Sequence, residues 1–344
     1  MSAEQRRKMI SILVPVHNEE GNIGPLYETV KAVMGRIEDR YTWELVFTDN
    51  CSKDTSFQEL CQLAAKDERV RVFRFSRNFG FQRSIYTGYM RARGDAAVQI
   101  DCDLQDPPEL ILKFIEAWEA GAKVVYGVRR GRKEGFFITL LRRIFYRLID
   151  FLSEDHLPHD AGDFRLVDRK VLAVLRHIED QKPYLRGTLA TLGFEQKGIV
   201  YDRAARERGE SKFKMRDLVA LAVDGILSHS TVPLRIATYT GLVVSVFTFV
   251  GMVVYVVGKI FYGSDWPAGF ATTTLLILLS LSLNALFLGI IGEYVGRIYQ
   301  QVRKRPLTII EHSVEKTSDT DDKEAPKGTG DLSQELQETF LETE

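Results

Sequence analysis

Two stretches of the 344-residue chain carry no charged side chain at all, Ile236 to Gly258 and Trp266 to Gly292, and they restrict the fold more than any other feature. Each exceeds the roughly 20 residues that cross a bilayer core. Both are apolar on every side rather than along one stripe, which excludes the amphipathic helices of a soluble surface. The sequence therefore predicts a transmembrane hairpin over residues 231–305, with spans at about 236–258 and 270–292, joined by the short connection Lys259 to Asp265. Arg235 precedes the first span, and Arg297, Arg303, Lys304 and Arg305 follow the second. The positive-inside rule then puts both flanks, and with them the N-terminal bulk, on the cytoplasmic face of the inner (plasma) membrane. The N-terminal apolar run turns polar too soon for a signal peptide and reads as a first strand.

Charge is unevenly spread. The chain has 46 Lys plus Arg against 47 Asp plus Glu. From Glu311 onward, eleven acidic against three basic residues leave the end of the chain at −8, and the remaining 43 basic and 36 acidic residues at +7. A basic body favours anionic partners such as phosphates and acidic lipids. Residues 306–344 read as an acidic, disordered tail. Three cysteines without a CxxC pair, Cys51, Cys61 and Cys102, predict reduced thiols packed as small apolar residues.

Ahead of the hairpin, apolar strand-like runs alternate with helical patterns. Strands are expected at Met9–Val16, Trp43–Phe47, Val70–Phe75, Ala96–Ile100 and Lys123–Tyr126, and helices at Ile23–Ile37, Thr55–Lys66, Gln82–Arg91 and Pro108–Ala120. This alternation predicts an α/β domain with a largely parallel sheet over residues 1–135. Residues 136–230 follow as an acceptor-side part holding two amphipathic segments, Phe136 to Leu152 and Phe213 to Ser228. Adjacency to the hairpin favours interfacial helices over ordinary surface helices there.

In parallel sheets ligands bind beyond the carboxyl ends of the strands, so the loops after the strands are where chemistry belongs. None carries GxGxxG or GxxxxGK[ST], which disfavours dinucleotide and P-loop folds. The loop after the fourth strand holds Asp101, Asp103 and Gln105, hard oxygen ligands suited to Mg²⁺ or Mn²⁺ bridging a diphosphate. An acidic turn capping the helix from Pro108 would use the same residues. His156 and His159 do not fit a zinc module, and no nucleic-acid motif or nucleophilic triad is found.

The runs VPVHNEEGNI, FTDNCSKD, FSRNFGFQRSIYTGYMRARGDAAVQIDCDLQDPPEL, GVRRGR, AGDFRLVDR and RERGESKF, followed by two spans, closely resemble family-2 glycosyltransferases acting on polyprenyl phosphates. Within that group the chain is similar to the bactoprenol glucosyltransferase (GtrB) type, relatives of dolichol-phosphate mannose synthase, from about Ile10 to about Arg305. The resemblance implies a GT-A-like, Rossmann-like domain with a nucleotide-sugar donor. Pro15, His17, Glu19 and Asp49 would hold the nucleoside, and Asp101, Asp103 and Gln105 the metal and diphosphate. Arg129 stands where the family places a phosphate-contacting arginine, Asp163 matches an active-site aspartate, and Arg206, Ser211 and Lys212 match a mobile basic loop. Cys102 departs from the alanine common between the two aspartates.

The implied reaction is inverting transfer of a hexose, glucose from UDP-glucose above all, to a polyprenyl (undecaprenyl) phosphate. Membrane lipids and a further copy of the chain are the other partners this reading allows. Charge develops on the leaving diphosphate, so a divalent cation with arginines is the fitting catalyst. A lipid phosphate with a second pKa near 6 is ionised already, so cations that position it, such as Arg129, Arg143, Arg206 and Lys212, matter more than a base. Rival readings are another donor (GDP-mannose or a UDP-aminoarabinose derivative), a membrane-anchored phosphotransferase, and a nucleotide-sugar sensor without turnover.

Overall fold

The computed structural model describes residues 7–130, 161–202, 232–262 and 269–315. The chain divides into two compact units, one holding every described strand and the other the two long apolar helices.

In the first unit, β1 (Lys8–Val16), β2 (Tyr41–Asp49), β3 (Val70–Phe75), β4 (Ala96–Gln99), β5 (Val124–Arg129), β6 (Ala161–Asp168), β7 (Gln196–Tyr201) and β8 (Ile310–Val314) form one sheet in the order β7-β5-β6-β4-β1-β2-β3-β8. Helices α1 (Ile23–Gly35), α2 (Ser56–Lys66), α3 (Phe81–Arg91), α4 (Leu110–Glu119), α5 (Arg169–Leu175) and α6 (Leu185–Thr191) connect the strands. The five expected strands and four expected helices are all present, with ends moved by three residues at most. β1 is buried from Ile10 to Val16 because helices cover both faces. Ile10, Ile12 and Val14 pack with Leu26, Val30 and Phe114, while Leu13 packs on the opposite layer with Phe73, Ile85 and Tyr89. Cys102 is buried in the first of these layers, and all three cysteines are free thiols.

β1 pairs in parallel with both β2 and β4. The order therefore switches direction between β1 and β4, which opens a crevice beyond their carboxyl ends. The sheet is mixed, because β6 runs antiparallel between β4 and β5 and β8 runs antiparallel along β3. β6 thus begins at the end of the sheet where β4 and β5 finish, and brings Asp163 to the crevice.

β8 corrects the expectation of a solvated tail from residue 306. Leu307, Thr308 and Ile310 are buried, and Thr308 Oγ1 lies 2.9 Å from Thr87 Oγ1. At the opposite end of the sheet from the crevice, Glu315 accepts from Arg71 Nε at 2.7 Å and ion-pairs with Arg93 at 3.3 Å. Arg71 also donates to Glu44 at 2.9 Å, and Glu44 accepts from the Arg93 backbone N–H. Gly94 fits here only without a side chain, since a Cβ would meet Ser11 N and Ala96 O at 2.7 Å. Acidic composition hides this strand: Glu315 enters the fold because Arg71, nearly buried, needs a second carboxylate. Glu315→Gln is expected to cost about 1–2 kcal/mol at pH 7, since Glu44 still faces Arg71. The same cations hold the Glu315 carboxyl below its ordinary range despite burial. Its contribution is thus complete above the unfolded pKa and fades as pH falls, and the melting curves of variant and wild type should converge below about pH 4.

In the second unit, α7 (Val232–Tyr262) and α8 (Phe270–Val302) are each long and apolar enough to cross a membrane, with hydropathic windows at Leu234–Gly258 and Leu279–Val302. The second window lies later than the expected 270–292. Phe247, Phe261 and Leu288 are 74%, 79% and 67% exposed, a surface that water does not tolerate over such lengths. These helices associate the protein with a membrane. The amphipathic segments of 136–152 and 213–228, His156 and His159, and the basic loop lie outside the described residues.

Candidate active site

Three of the loops at the crevice are held by a residue in the left-handed region that is not glycine: Asn18 (φ 55°) after β1, Cys51 (φ 59°) after β2 and Leu104 (φ 55°) after β4. Such backbones persist only where the surroundings determine them, and they cluster at functional sites. The surroundings here are hydrogen bonds between the loops. Asn18 N–H donates to Ser52 Oγ at 2.9 Å, Lys53 N–H to Asn18 Oδ1 at 2.8 Å, and Glu19 N–H to Ser56 Oγ at 2.9 Å. Pro15 lies two residues past the last β1–β4 pair, Leu13 with Gln99, where the ladder has opened and a missing N–H costs little.

A polar chain crosses the first three loops. Asn50 Nδ2 donates to Asn78 Oδ1 at 2.9 Å, Asn78 Nδ2 lies 3.2 Å from His17 Nε2, and Phe79 N–H donates to Asn50 Oδ1 at 2.8 Å. Gly80, at φ 96°, lets that third loop turn into α3. His17 Nδ1 is buried without a protein partner, a polar atom still to be satisfied. Asp49 is fully buried: its Oδ1 accepts from Ser52 N–H at 3.1 Å, while Oδ2 faces Arg74 Nη1 at 3.5 Å. It sets the 49–52 turn from within. Glu19 accepts from Asn22 Nδ2 at 2.8 Å.

The second half of the crevice is dense in carboxylates. Asp101 accepts from Gln99 Nε2 at 2.9 Å, and Asp103 from the Gln105 backbone N–H at 3.2 Å. Poor solvation, then the charges of Asp106, Asp163 and Asp103, push Asp101 up to about 7. Asp106 takes the Tyr201 hydroxyl at 2.5 Å and lies 3.6 Å from Arg129 Nη2, and Arg129 Nε reaches the same hydroxyl at 3.4 Å. Burial and that carboxylate push the Tyr201 phenol up to about 12, so it stays a donor. Gly162 makes room for the guanidinium, since a Cβ there would meet Arg129 Nη2 at 3.2 Å.

Asp163 is gripped by a residue with no sequence signal. Arg186 Nε donates to Oδ1 at 2.9 Å and Nη2 to Oδ2 at 2.7 Å, a bidentate pair, with Gln82 Nε2 at 3.4 Å from Oδ2. Burial works against the charge, but the Arg186 guanidinium outweighs it and holds the Asp163 carboxyl below the ordinary range. Arg165, buried beside them, donates to Gly162 O at 2.8 Å.

Of the expected site residues, Pro15, His17, Glu19, Asp49, Asp101, Asp103, Gln105, Arg129 and Asp163 all lie on loops or strand ends around the crevice. Arg143, Arg206, Ser211 and Lys212 fall outside the described residues. Among the described residues no three His, Cys, Asp or Glu side chains form a ready metal cage. Asp101 and Asp103 offer the hard carboxylate oxygens that a divalent cation takes, with phosphates and water completing its shell.

A glycosyltransferase of Bacillus subtilis, YkcC, is 41% identical over 309 residues, 90% of this chain and 95% of its own. Residues 11–176 match the Glycosyl transferase family 2 pattern. The chain belongs to glycosyl transferase family 2. The bactoprenol glucosyl transferase of a Shigella flexneri SfII prophage is 36% identical to this glycosyltransferase, over 88% of the present chain and 98% of its own. A solved glucosyl-3-phosphoglycerate synthase of Mycobacterium tuberculosis, in complex with Mn²⁺ and UDP, covers 64% of the chain and 78% of its own at TM-score 0.44 and 20% identity. The sheet of this family-2 glycosyltransferase is GT-A-like, and the crevice at its β1/β4 switch is the candidate active site.

Proposed function

We propose that this glycosyltransferase moves glucose from UDP-glucose, with inversion, onto a polyprenyl (undecaprenyl) phosphate at the cytoplasmic membrane face. The observation that carries the reading is the pairing, on one chain, of the carboxylate-rich crevice with two helices fit to cross a bilayer. Relatives named bactoprenol glucosyl transferases, matched over 98–99% of their lengths, support the acceptor and the sugar.

The donor's nucleoside would lie against His17, Glu19 and the Asn50–Asn78 chain, with Asp49 shaping the turn beneath it. Asp101 and Asp103, with Gln105, would hold Mg²⁺ or Mn²⁺, which supplies charge neutralisation of the leaving diphosphate. Arg129, fixed by Tyr201 and Asp106, would contact a phosphate. Arg143, Arg206, Ser211 and Lys212 are assigned to the acceptor side.

The test is turnover. Purified protein, given radiolabelled UDP-glucose, GDP-mannose and other nucleotide sugars with undecaprenyl phosphate, should move label from UDP-glucose into an organic-extractable lipid. Label from another donor alone would replace the sugar assignment, and no lipid label from any donor would overturn the acceptor.

The sheet also supports the topology. β1 to β7 precede the apolar helices and β8 follows them, so the chain must come back to the side it left, as an even number of crossings allows. In a background free of native cysteines, Gly263→Cys is expected to react with an impermeant thiol reagent from outside, and Gly330→Cys to be protected. The reverse labelling would invert the orientation.

A further inference from the structure

We infer that β8, the strand following the second apolar helix, is a positioning element of the donor pocket, acting through His312, Phe57 and Arg74 on the Asp49 turn. The inference rests on the donor reading given above. β8 pairs Arg74 with His312 across the strands, but Phe75 with Ile310, so Glu311 is an extra residue at a bulge. The bulge changes which face β8 presents. Ile310 packs with Phe75 in one layer, whereas Val314 packs with Val72 in the other. His312, level with Arg74, is thereby turned to the α2 side of the sheet.

There the contacts form an unbroken line into the crevice. The His312 ring stacks on Phe57 of α2, centroids 6.1 Å apart and planes at 30°. The Arg74 guanidinium lies over the same Phe57 ring, Cζ 4.3 Å from its centroid. Arg74 Nη1 is 3.5 Å from Asp49 Oδ2, and Nη2 donates to Ser52 O at 3.3 Å. Asp49 Oδ1 takes Ser52 N–H, and Ser52 Oγ takes Asn18 N–H. One guanidinium therefore clamps both ends of the turn that holds Cys51 at positive φ. An arginine side chain has many rotamers, and stacking on an aromatic ring that is itself in contact with His312 narrows them. Asp49 Oδ2 has no hydrogen-bond partner, so its setting depends on where that guanidinium is held.

His312→Ala should loosen this line without touching substrate, and His312→Phe should restore the stack. Two readouts on the full-length protein decide the case: the donor KM at saturating lipid phosphate, and amide hydrogen exchange of residues 49–53. His312→Ala is expected to raise the donor KM about three- to tenfold, the worth of one aromatic contact, with kcat and the lipid KM far less affected. Exchange in the turn should rise with it. His312→Phe should return both readouts to wild type, and Glu311→Gln, at the bulge, should move neither. An unchanged donor KM and unchanged exchange in His312→Ala would overturn the inference, as would an equal loss in kcat and in both KM values. If exchange responds as expected while wild type turns over no nucleotide sugar, the relay stands and the donor reading falls.

Discussion

Asp103→Asn is expected to lower turnover about 10³-fold, the several kcal/mol that neutralising a leaving diphosphate supplies, while the melting temperature barely moves. Asp103 is half-buried on a loop, and the bond it makes to the Gln105 N–H can be kept by an amide oxygen, so the fold has little to lose. The chemistry has more at stake. Burial first, and then the charges of Asp106, Asp163 and Asp103, push Asp101 up to about 7, and a cation bound there would favour its ionised form. An amide at 103 keeps one oxygen but gives up the charge that a hard cation prefers. Wild type in excess EDTA should fall to the level of the variant, and Mn²⁺ or Mg²⁺ should restore wild type alone. Full activity of either the variant or the EDTA-treated enzyme would take these carboxylates out of metal binding.

How much of this site could be read beforehand follows from where each residue sits. Asp101 and Asp103 were legible because a buried apolar strand, Ala96–Gln99, runs straight into them, and the position of a loop after such a strand is itself a signal. His17 and Glu19 after β1 carry no such signal of their own and enter only through the resemblance to family-2 glycosyltransferases. β6 has no strand pattern: AGDFRLVD has two aspartates and an arginine in eight residues, a composition that reads as a loop. It forms a strand because β4 and β5 flank it, and because its charges are met, Asp163 by Arg186, Arg165 by the Gly162 carbonyl and Asp168 by Lys123 and Trp118. β8 escaped notice because five residues within an acidic stretch carry too little apolar character to outweigh their surroundings.

The residues that fix Asp106 and Asp163 are out of reach of the sequence for a different reason. Tyr201 is 95 positions from the Asp106 it binds, and Arg186 is 23 from Asp163. No local period or spacing relates such pairs; the sheet order brings them together. Arg74 stands in a short strand, VRVFRF, where a polar position resembles an ordinary solvent-facing one, so nothing local marks it. Motif and resemblance thus single out the candidate groups on the crevice loops, whereas the side chains that hold them are visible only in the tertiary contacts.

Arg186 is the residue of that second kind with the largest expected effect. Asp163 has both oxygens engaged by one guanidinium and is held ionised well into the acid range, so it is poorly suited to taking a proton near neutrality. A phosphate acceptor needs no base, because its own second ionisation, near pH 6, is complete above neutrality. The acid limb of kcat/KM should therefore sit near pH 6 in wild type and stay there in Asp163→Asn, with the whole profile lowered about 10²-fold through lost orientation. Arg186→Gln should do more harm than Asp163→Asn. It leaves a buried carboxylate without its cation, at a cost of about 3 kcal/mol in stability, and the freed carboxylate then protonates more readily, so the variant's melting temperature should recover as pH is lowered. The double variant Asp163→Asn with Arg186→Gln should be more stable than Arg186→Gln alone, because the orphaned charge is gone. Arg186→Lys should fall between, keeping the charge but not the two-pronged geometry. An acid limb that vanishes or moves when Asp163 is replaced would show that its carboxylate does accept the proton, and a double variant no more stable than Arg186→Gln would show that the pair does not hold the fold in the way the geometry requires.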